Sequence, residues 1–286
     1  MTALRLDASV DATNEALREA GVPSPELLLL LGTGVGTLPG SLASCGRTAL
    51  EDLPGVPAIW SDTTLVHGGL GDAAVWLLED APGGLEFGEG GPPSPPWERG
   101  WPVWLAAAAG APVAVFTAAG GSLSDELPAG TLAVLRDHLN VSGQTPLLGL
   151  GETRLGPLFP DQSLVHHEGL RQTALELAAE RGIALAEAVA ACVAGPALTT
   201  PAERRWYATT GADLFVQGLA GPLLACAHAG LTALTLIAIT EADDQPLRMS
   251  DLVARSEACA PALEDLVLAL RRDLARAATE LAEEAG

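Results

Sequence analysis

The stretches Thr117-Ala-Ala-Gly-Gly121 and Leu135-Arg-Asp-His-Leu-Asn-Val-Ser-Gly143 decide the fold of this chain. The first of them follows Pro112-Val-Ala-Val-Phe116, an apolar run with the length of a buried strand. Gly120 and Gly121 then predict a tight turn at the strand end, where backbone amides can face an anion. Two neighbouring strands with polar ends are typical of the small-molecule pocket of an α/β fold.

Strand and helix patterns alternate along the chain, and this predicts one α/β domain with a central mixed sheet over residues 1–286, although the length also allows two smaller domains. The predicted strands are residues 26–31, 73–78, 113–117, 132–141, 188–193, 214–216 and 232–240. The predicted helices are residues 11–20 with Asp11 as N-cap, 101–109, 163–181, a segment ending at 229, and a long amphipathic helix from 262 onward. Residues 81–100, rich in proline and glycine, are predicted to form a mobile loop.

The charge balance narrows the class of partner. A formal net charge of -21 argues against a basic nucleic-acid surface and against binding to anionic membranes, so we expect a small molecule or another protein as partner. All 15 basic residues are arginine, which excludes Schiff-base and P-loop lysines. The four cysteines lack CxxC spacing and predict buried reduced thiols without a metal site: Cys45, Cys192, Cys226 and Cys259. With neither a signal pattern nor an apolar membrane-length run, the chain is expected in the cytoplasm.

Further segments share their order with a known family. They are Leu31-Gly-Thr-Gly-Val-Gly36, Val66-His-Gly-Gly69, Gln144-Thr-Pro-Leu-Leu148, Arg154-Leu-Gly-Pro-Leu-Phe-Pro-Asp161, Gly195-Pro196, Thr200-Pro-Ala-Glu203, Gly211-Ala-Asp213, His228-Ala-Gly230 and Ile239-Thr240. Together with the opening stretches they resemble the trimeric purine nucleoside phosphorylase family, whose pattern includes NAAGG, RDHIN and RFGxRFPD. The resemblance implies that family's fold, a homotrimer, and a reaction of purine nucleoside with phosphate that gives free base and ribose 1-phosphate without any other cofactor.

At the phosphate end, the resemblance implies a site at Gly32-Thr33-Gly34, where Thr33 offers a hydroxyl, with His67 and the Ala118 amide also at family positions. His67 is thereby a catalytic candidate as well. The family's QGRFH segment, with its phosphate-binding arginine and adjacent histidine, has no counterpart, and only Arg99 lies nearby in sequence.

Other substitutions at the phosphate end oppose an anion. Glu86 and Glu89 stand in the QGRFH region and would repel phosphate, and Gly218 stands where the family has the serine of its GMS motif. Each lost charge-assisted hydrogen bond costs about 1.5–3 kcal/mol, so phosphate affinity should fall by orders of magnitude.

At the base end, four residues replace the family's purine contacts. Leu198 and Thr199 stand for the aromatic residue and glutamate of GPSFET, Gln217 for the methionine of GMS, and Glu241 for the asparagine of ITN. They are the candidate base contacts, and Glu241 becomes a catalytic candidate if it acts as a general acid.

Ordinary structural roles compete with each assignment. The competing interpretations are a turn at Thr33, internally satisfied His67 and His138, a hydrogen-bonded brace at Arg136, Asp137, His138 and Asn140, solvated His166 and His167, a helix-capping Glu203, and an acidic loop at Glu241, Asp243 and Asp244. Two functions therefore remain: an active nucleoside-cleaving pentosyltransferase of altered specificity, and a catalytically silent homologue that serves as a binding or regulatory partner. The loss of donors at both ends favours the second.

Overall fold

The computed structural model describes residues 5–32, 36–79, 95–242 and 248–285. The strands in these ranges are β1 (Leu27–Leu31), β2 (Ala43–Ala49), β3 (Thr64–Leu70), β4 (Ala73–Glu79), β5 (Val113–Ser122), β6 (Leu132–Asn140), β7 (Leu185–Val193), β8 (Leu214–Gln217) and β9 (Thr232–Glu241). The helices are α1 (Leu6–Glu19), α2 (Trp101–Ala109), α3 (Glu168–Arg181), α4 (Pro201–Ala208), α5 (Ala220–Ala229), α6 (Met249–Ala269) and α7 (Arg271–Ala285).

One mixed sheet contains all of these strands, which confirms the predicted sheet class. Its order is β2-β3-β4-β1-β5-β8-β7-β6-β9, and β9 also pairs with β5. The strands from β5 to β9 therefore close into a ring, while β1 to β4 extend from it as an open sheet. Pairing is parallel between β1 and β5 and between β5 and β9, and antiparallel between β5 and β8.

Helices cover both faces of the sheet. The five leucines of β1 are all buried, and they alternate between two hydrophobic clusters, as a strand with a period of two requires. Leu28 and Leu30 belong to the cluster that α1, α2 and α5 cover, whereas Leu27, Leu29 and Leu31 belong to the one that α3, α6 and α7 cover.

Several predicted helix boundaries were wrong. The first helix begins at Leu6 with Arg5 as its N-cap, so Asp11 lies in the second turn. The helix starts this early because Leu6, Val10 and Leu17 form the apolar stripe that it buries. The predicted C-terminal helix is two helices, and the first of these begins well before residue 262. Helix α3 begins at Glu168, five residues later than predicted, and β2 and β3 were not predicted at all.

The predicted turn at Gly120 and Gly121 does not form, because β5 continues to Ser122. Both glycines pair with β8 and β9 instead. A Cβ on Gly121 would lie 2.2 Å from the ring of Phe215, and a Cβ on Gly120 would lie 2.8 Å from the Phe215 carbonyl oxygen. The two glycines are therefore needed for the close approach of β8 rather than for a turn.

Part of the predicted loop at residues 81–100 is regular. Its end, Pro96–Gly100, is a 3₁₀ helix with Trp97 buried, and the indole N–H of Trp60 donates to the Glu98 carbonyl oxygen at 2.7 Å. These packing contacts hold in regular structure a segment whose proline- and glycine-rich composition predicted a loop. Residues 81–94 of the predicted loop lie outside the described residues.

All four cysteines are free thiols, as predicted, but Cys45 is exposed whereas the other three are buried. Cys45 is exposed because it lies on β2, an edge strand of the sheet. Among the described residues, none of the helices has the length and apolar character needed to span a bilayer.

Candidate functional site

The predicted phosphate corner follows β1. Thr33 and Gly34 lie outside the described residues, but Gly32 is fixed: its N–H donates to the Thr117 carbonyl oxygen at 2.9 Å and lies 3.0 Å from the Thr117 hydroxyl. A Cβ on Gly32 would lie 2.5 Å from the same carbonyl oxygen. Gly32 therefore allows the end of β1 to pack closely against β5. Its amide was predicted to be free for an anion, but it already donates to Thr117.

The Ala118 amide points away from this corner. Because the Thr117 carbonyl oxygen accepts from Gly32 on the β1 side, the trans peptide directs the Ala118 N–H to the opposite side, toward β9. Ala118 is paired there with Ile237, and the β5–β9 ladder continues beyond it. Of the main-chain donors predicted for phosphate, the two that lie in the described residues, Gly32 and Ala118, thus face neighbouring strands.

His67 lies on β3, far from Ala118. The strand register gives the path between them: His67 pairs with Trp76 on β4, and Trp76 pairs with Leu28 on β1. Leu28 in turn pairs with Ala114 on β5, four residues before Ala118. Three strand spacings across and four residues along correspond to roughly 20 Å, so one phosphate cannot contact both residues of the same subunit. The half-buried ring lies over Gly46, and burial lowers the pKa of His67.

Arg99 belongs to the 3₁₀ helix Pro96–Gly100 and packs against the first turn of α5. Its guanidinium donates to the Gln144 side chain, and its Cβ would be 3.4 Å from a Cβ on Gly221 in the first turn of α5. Gly221 is three residues after Gly218, where the resemblance places a phosphate-binding serine. Of the predicted phosphate ligands in the described residues, Arg99 is thus the one that sits beside a helix N-terminus, which favours anions.

At the base end, Gln217 supports the segment that carries Leu198 and Thr199. The Gln217 side-chain amide donates to the Ala197 carbonyl oxygen at 2.8 Å, and a Cβ on Gly195 would lie 2.5 Å from its Oε1 atom. Leu198 is 43% exposed and Thr199 is half-buried. The structure therefore brings three of the predicted base contacts together at the ends of β7 and β8.

Glu241, the fourth predicted base contact, is buried in an ion pair. It is the last residue of β9, and its Oε2 lies 3.5 Å from Nη1 of Arg204. Both side chains are about one-tenth exposed, at 11% for Glu241 and 8% for Arg204. The Arg204 guanidinium also lies 3.4 Å from the Ser122 carbonyl oxygen and 5.0 Å from the centroid of the Phe215 ring.

Helix α4 positions Arg204. Thr200 and Glu203 form the predicted capping box, which confirms the structural role of Glu203 and starts the helix with Arg204 in its first turn. The sequence interpretation missed this arginine. A signal existed, because a buried carboxylate at the end of a strand requires a cation, and Arg204 follows directly after the capping box.

The ion pair limits what Glu241 can do. A guanidinium at this distance opposes protonation of a carboxylate, so the ion pair disfavours Glu241 as the general acid for a departing purine. An open cavity of about 290 Å³ adjoins the pair. Its lining residues are Ser122, Leu123, Ser124, Asp125, Arg204, Arg205, Ala208 and Ala242.

The prediction that His166 is solvated was wrong. Nδ1 of His138 and Nε2 of His166 lie 3.0 Å apart, and the Nδ1 atom of His166 is shielded from solvent without a hydrogen-bond partner. Burial, and secondarily the charge of His138, lower the pKa of His166 to about 4. His167 instead caps α3, because its ring Nδ1 accepts from the Leu170 N–H at 3.1 Å. A strand bridge from His166 to Ala233 holds this segment against the sheet.

Comparison with known proteins identifies the relatives of this chain. A family model described as the phosphorylase superfamily matches residues 88–272. Purine nucleoside phosphorylase 1 of Bacillus subtilis is 30% identical to this chain, in an alignment that covers 82% of this chain and 87% of the relative. Purine nucleoside phosphorylase 1 of Geobacillus stearothermophilus is 28% identical, in an alignment that covers 94% of this chain and 98% of the relative. Among solved structures, Schistosoma mansoni purine nucleoside phosphorylase in complex with adenosine has a TM-score of 0.84 at 19% identity, covering 93% of this chain and 98% of that one.

Proposed function

The chain belongs to the purine nucleoside phosphorylase family of the phosphorylase superfamily, and from this premise we propose that it is a catalytically silent member that acts as a binding or regulatory partner. The observation that carries the proposal is the buried Arg204–Glu241 ion pair. The pair occupies the position at which the family resemblance places the asparagine that stabilises the leaving purine. A carboxylate held in a buried ion pair is a poor partner for a neutral base, because contact with the base would require breaking that ion pair.

The phosphate end supports the same proposal. The amides of Gly32 and Ala118 face neighbouring strands, and His67 lies roughly 20 Å from Ala118 by strand register. Among the described candidates this leaves Arg99, whose guanidinium is engaged by Gln144. A dianion bound by so few donors is held weakly.

An active enzyme of altered specificity is the second candidate, and the position of Arg99 favours it. Rotation of its side chain toward the N-terminus of α5 would supply one cation for phosphate or for a water nucleophile. If the protein is active, phosphate is a co-substrate. The phosphate end then consists of Thr33, His67, Ala118 and Arg99, and the base contacts are Leu198, Thr199, Gln217 and Glu241. Either function takes a nucleoside, purine or phosphate as its ligand, without nucleic acid or membrane as partner.

Phosphate and hypoxanthine are expected to bind with millimolar rather than micromolar affinity, a free energy nearer ~4 than ~8 kcal/mol. The reason is that the amides of Gly32 and Ala118 face neighbouring strands at the phosphate end, whereas the base end holds the buried carboxylate of Glu241. Isothermal titration of each ligand into wild-type protein checks this, with the Bacillus subtilis relative as positive control. Thr33→Val tests the predicted hydroxyl: micromolar phosphate binding by the wild type, or measurable binding that Thr33→Val leaves unchanged, contradicts the assigned site.

We also propose a homotrimer. Four large apolar side chains in residues 148–164 are strongly exposed, at 68% for Leu148, 65% for Leu158, 88% for Phe159 and 81% for Leu164. Such a concentration of exposed apolar surface marks an association surface.

Light scattering at micromolar concentration is expected to give three times the subunit mass of 29.1 kDa. Phe159→Asp combined with Leu164→Asp should lower that mass, because burying a charge in an apolar contact is costly. Trp206→Asp is the matched control, since Trp206 is also exposed, at 56%, but lies outside the segment. A monomer mass for the wild type would disprove the trimer.

The cytoplasm remains the proposed location. Four free thiols support a reducing compartment, since exposed cysteines such as Cys45 are readily oxidised outside the cell. Recovery of the protein in a secreted or periplasmic fraction would contradict it.

A further inference from the structure

The structure brings Asp137, His138 and His166 into one cluster outside the predicted nucleoside site. One ligand atom from each residue lies within 4.8 Å of the other two. Asp137 and His138 are on β6, whereas His166 lies in the segment before α3. The sequence analysis predicted no metal site because the four cysteines lack CxxC spacing, and the two histidines of the cluster are 28 residues apart along the chain.

The Asp137 side chain folds back along β6 toward His138. In a regular strand Asp137 and His138 would point to opposite faces, and the register shift of β6 lies before both residues, which pair with the consecutive residues Val189 and Ala190. The Asp137 carboxylate, however, accepts the backbone N–H of His138 at 2.8 Å. This hydrogen bond holds the carboxylate beside the histidine.

His166 reaches the cluster from a fixed position. Its segment adds to the edge of β9: the Ala233 N–H donates to the Val165 carbonyl oxygen at 2.6 Å, and the His167 N–H donates to the Ala233 carbonyl oxygen at 3.0 Å. The two hydrogen bonds flank His166, so its ring is presented to β6 by the sheet. Pre-organised ligands of this kind lower the entropy lost on binding.

The spacing of the two rings is close to that of a metal site. Their facing nitrogens are 3.0 Å apart. Two nitrogens bound to one tetrahedral zinc at 2.0–2.1 Å are about 3.3 Å apart, so the rings need to separate by a few tenths of an ångström and to turn until both lone pairs point at the ion. A neutral imidazole nitrogen carries the lone pair that a metal ion requires.

We propose that Asp137, His138 and His166 bind one divalent transition-metal ion, with zinc the best match, and that water fills the fourth position on the exposed side of Asp137. Imidazole nitrogens favour zinc, nickel and copper over magnesium and calcium, which prefer oxygen ligands. The proton now shared between the facing nitrogens moves to the outer nitrogen of its own ring, so each imidazole stays neutral. The ion joins β6 to the segment before α3.

Calorimetric titration of zinc chloride into full-length, tag-free, chelator-treated protein tests the site. The variants all carry Cys45→Ser, because the exposed Cys45 thiol is an alternative zinc ligand. We expect one zinc per subunit with micromolar or tighter affinity, and no comparable binding of magnesium. His138→Gln and His166→Gln should each weaken binding at least ~10-fold, as should Asp137→Asn on the exposed side of the cluster.

The matched control is His167→Asn. This neighbouring histidine is not in the cluster, and asparagine retains its N-cap role. Zinc affinity should be unchanged in His167→Asn. If His138→Gln or His166→Gln fails to fold, Asp137→Asn and the visible absorption of bound cobalt, which reports tetrahedral coordination, still decide the matter. Millimolar zinc binding by the parent, octahedral cobalt, or equal losses in His167→Asn and the cluster variants would overturn the proposal.

Discussion

Arg204→Ala is expected to lower the free energy of unfolding by about 3–5 kcal/mol, because it removes the buried guanidinium that lies 3.5 Å from the buried carboxylate of Glu241. The loss also includes the contact between the guanidinium and the Phe215 ring. Urea denaturation followed by circular dichroism measures the change. Arg205→Ala is the control, since Arg205 is exposed on the same helix and truncation of an exposed arginine should cost less than truncation of a buried one.

The double variant Arg204→Met with Glu241→Gln separates the ion pair from ordinary packing. The double variant removes both buried charges of the pair, so it should be more stable than Arg204→Ala, which keeps one of them. A cost for Arg204→Ala no larger than that of Arg205→Ala would show that the pair does not hold the end of β9. Additive losses in the double variant would show that the two side chains are not coupled.

Phosphorolysis of inosine and guanosine is expected to be absent or at least ~100-fold below that of a typical family member, since loss of one electrostatic donor to a developing charge already costs about that factor. Here Thr199 and Glu241 stand at the two polar base positions, and Glu241 is bound to Arg204. Initial rates of purine release at saturating phosphate, with the Geobacillus stearothermophilus relative as control, give the ratio. Turnover near ~10 per second, an ordinary enzyme rate, would refute this expectation.

Local patterns predicted the elements whose signals are local. Helix α2 has the predicted bounds, and the capping box of Thr200 and Glu203 was recognised from four residues. The leucine run of β1 is buried on both faces, as a short apolar run bounded by glycine indicates. The edge strands β2 and β3 gave no such signal, because β2 is largely exposed and β3 contains two glycines.

The glycines at residues 120 and 121 show why a local pattern can mislead. Their composition is that of a turn, but their reason for being glycine is the approach of Phe215, almost a hundred residues later in the chain. Only the sheet topology reveals that contact. The same holds for the amides of Gly32 and Ala118, which a motif marks as anion donors but which strand pairing directs elsewhere.

The sequence predicted which residues belong to the candidate site better than it predicted how those residues are arranged. Gln217 and the segment with Leu198 and Thr199 lie together as expected, because they follow adjacent parallel strands. The partner of Glu241 was not predicted, since Arg204 reaches it from a helix 37 residues earlier. The pairing of His138 with His166 likewise depends on a bridge to β9.

The most direct test of a silent family member is incubation of purified protein with a panel of purine and pyrimidine nucleosides, with and without phosphate, followed by quantification of free base and of sugar product. We expect that neither product exceeds the protein-free background under either condition, because the base end holds an ion pair and, in the described part of the phosphate end, the amides of Gly32 and Ala118 face neighbouring strands. Stoichiometric release of base and ribose 1-phosphate that requires phosphate, from any nucleoside of the panel, would contradict it.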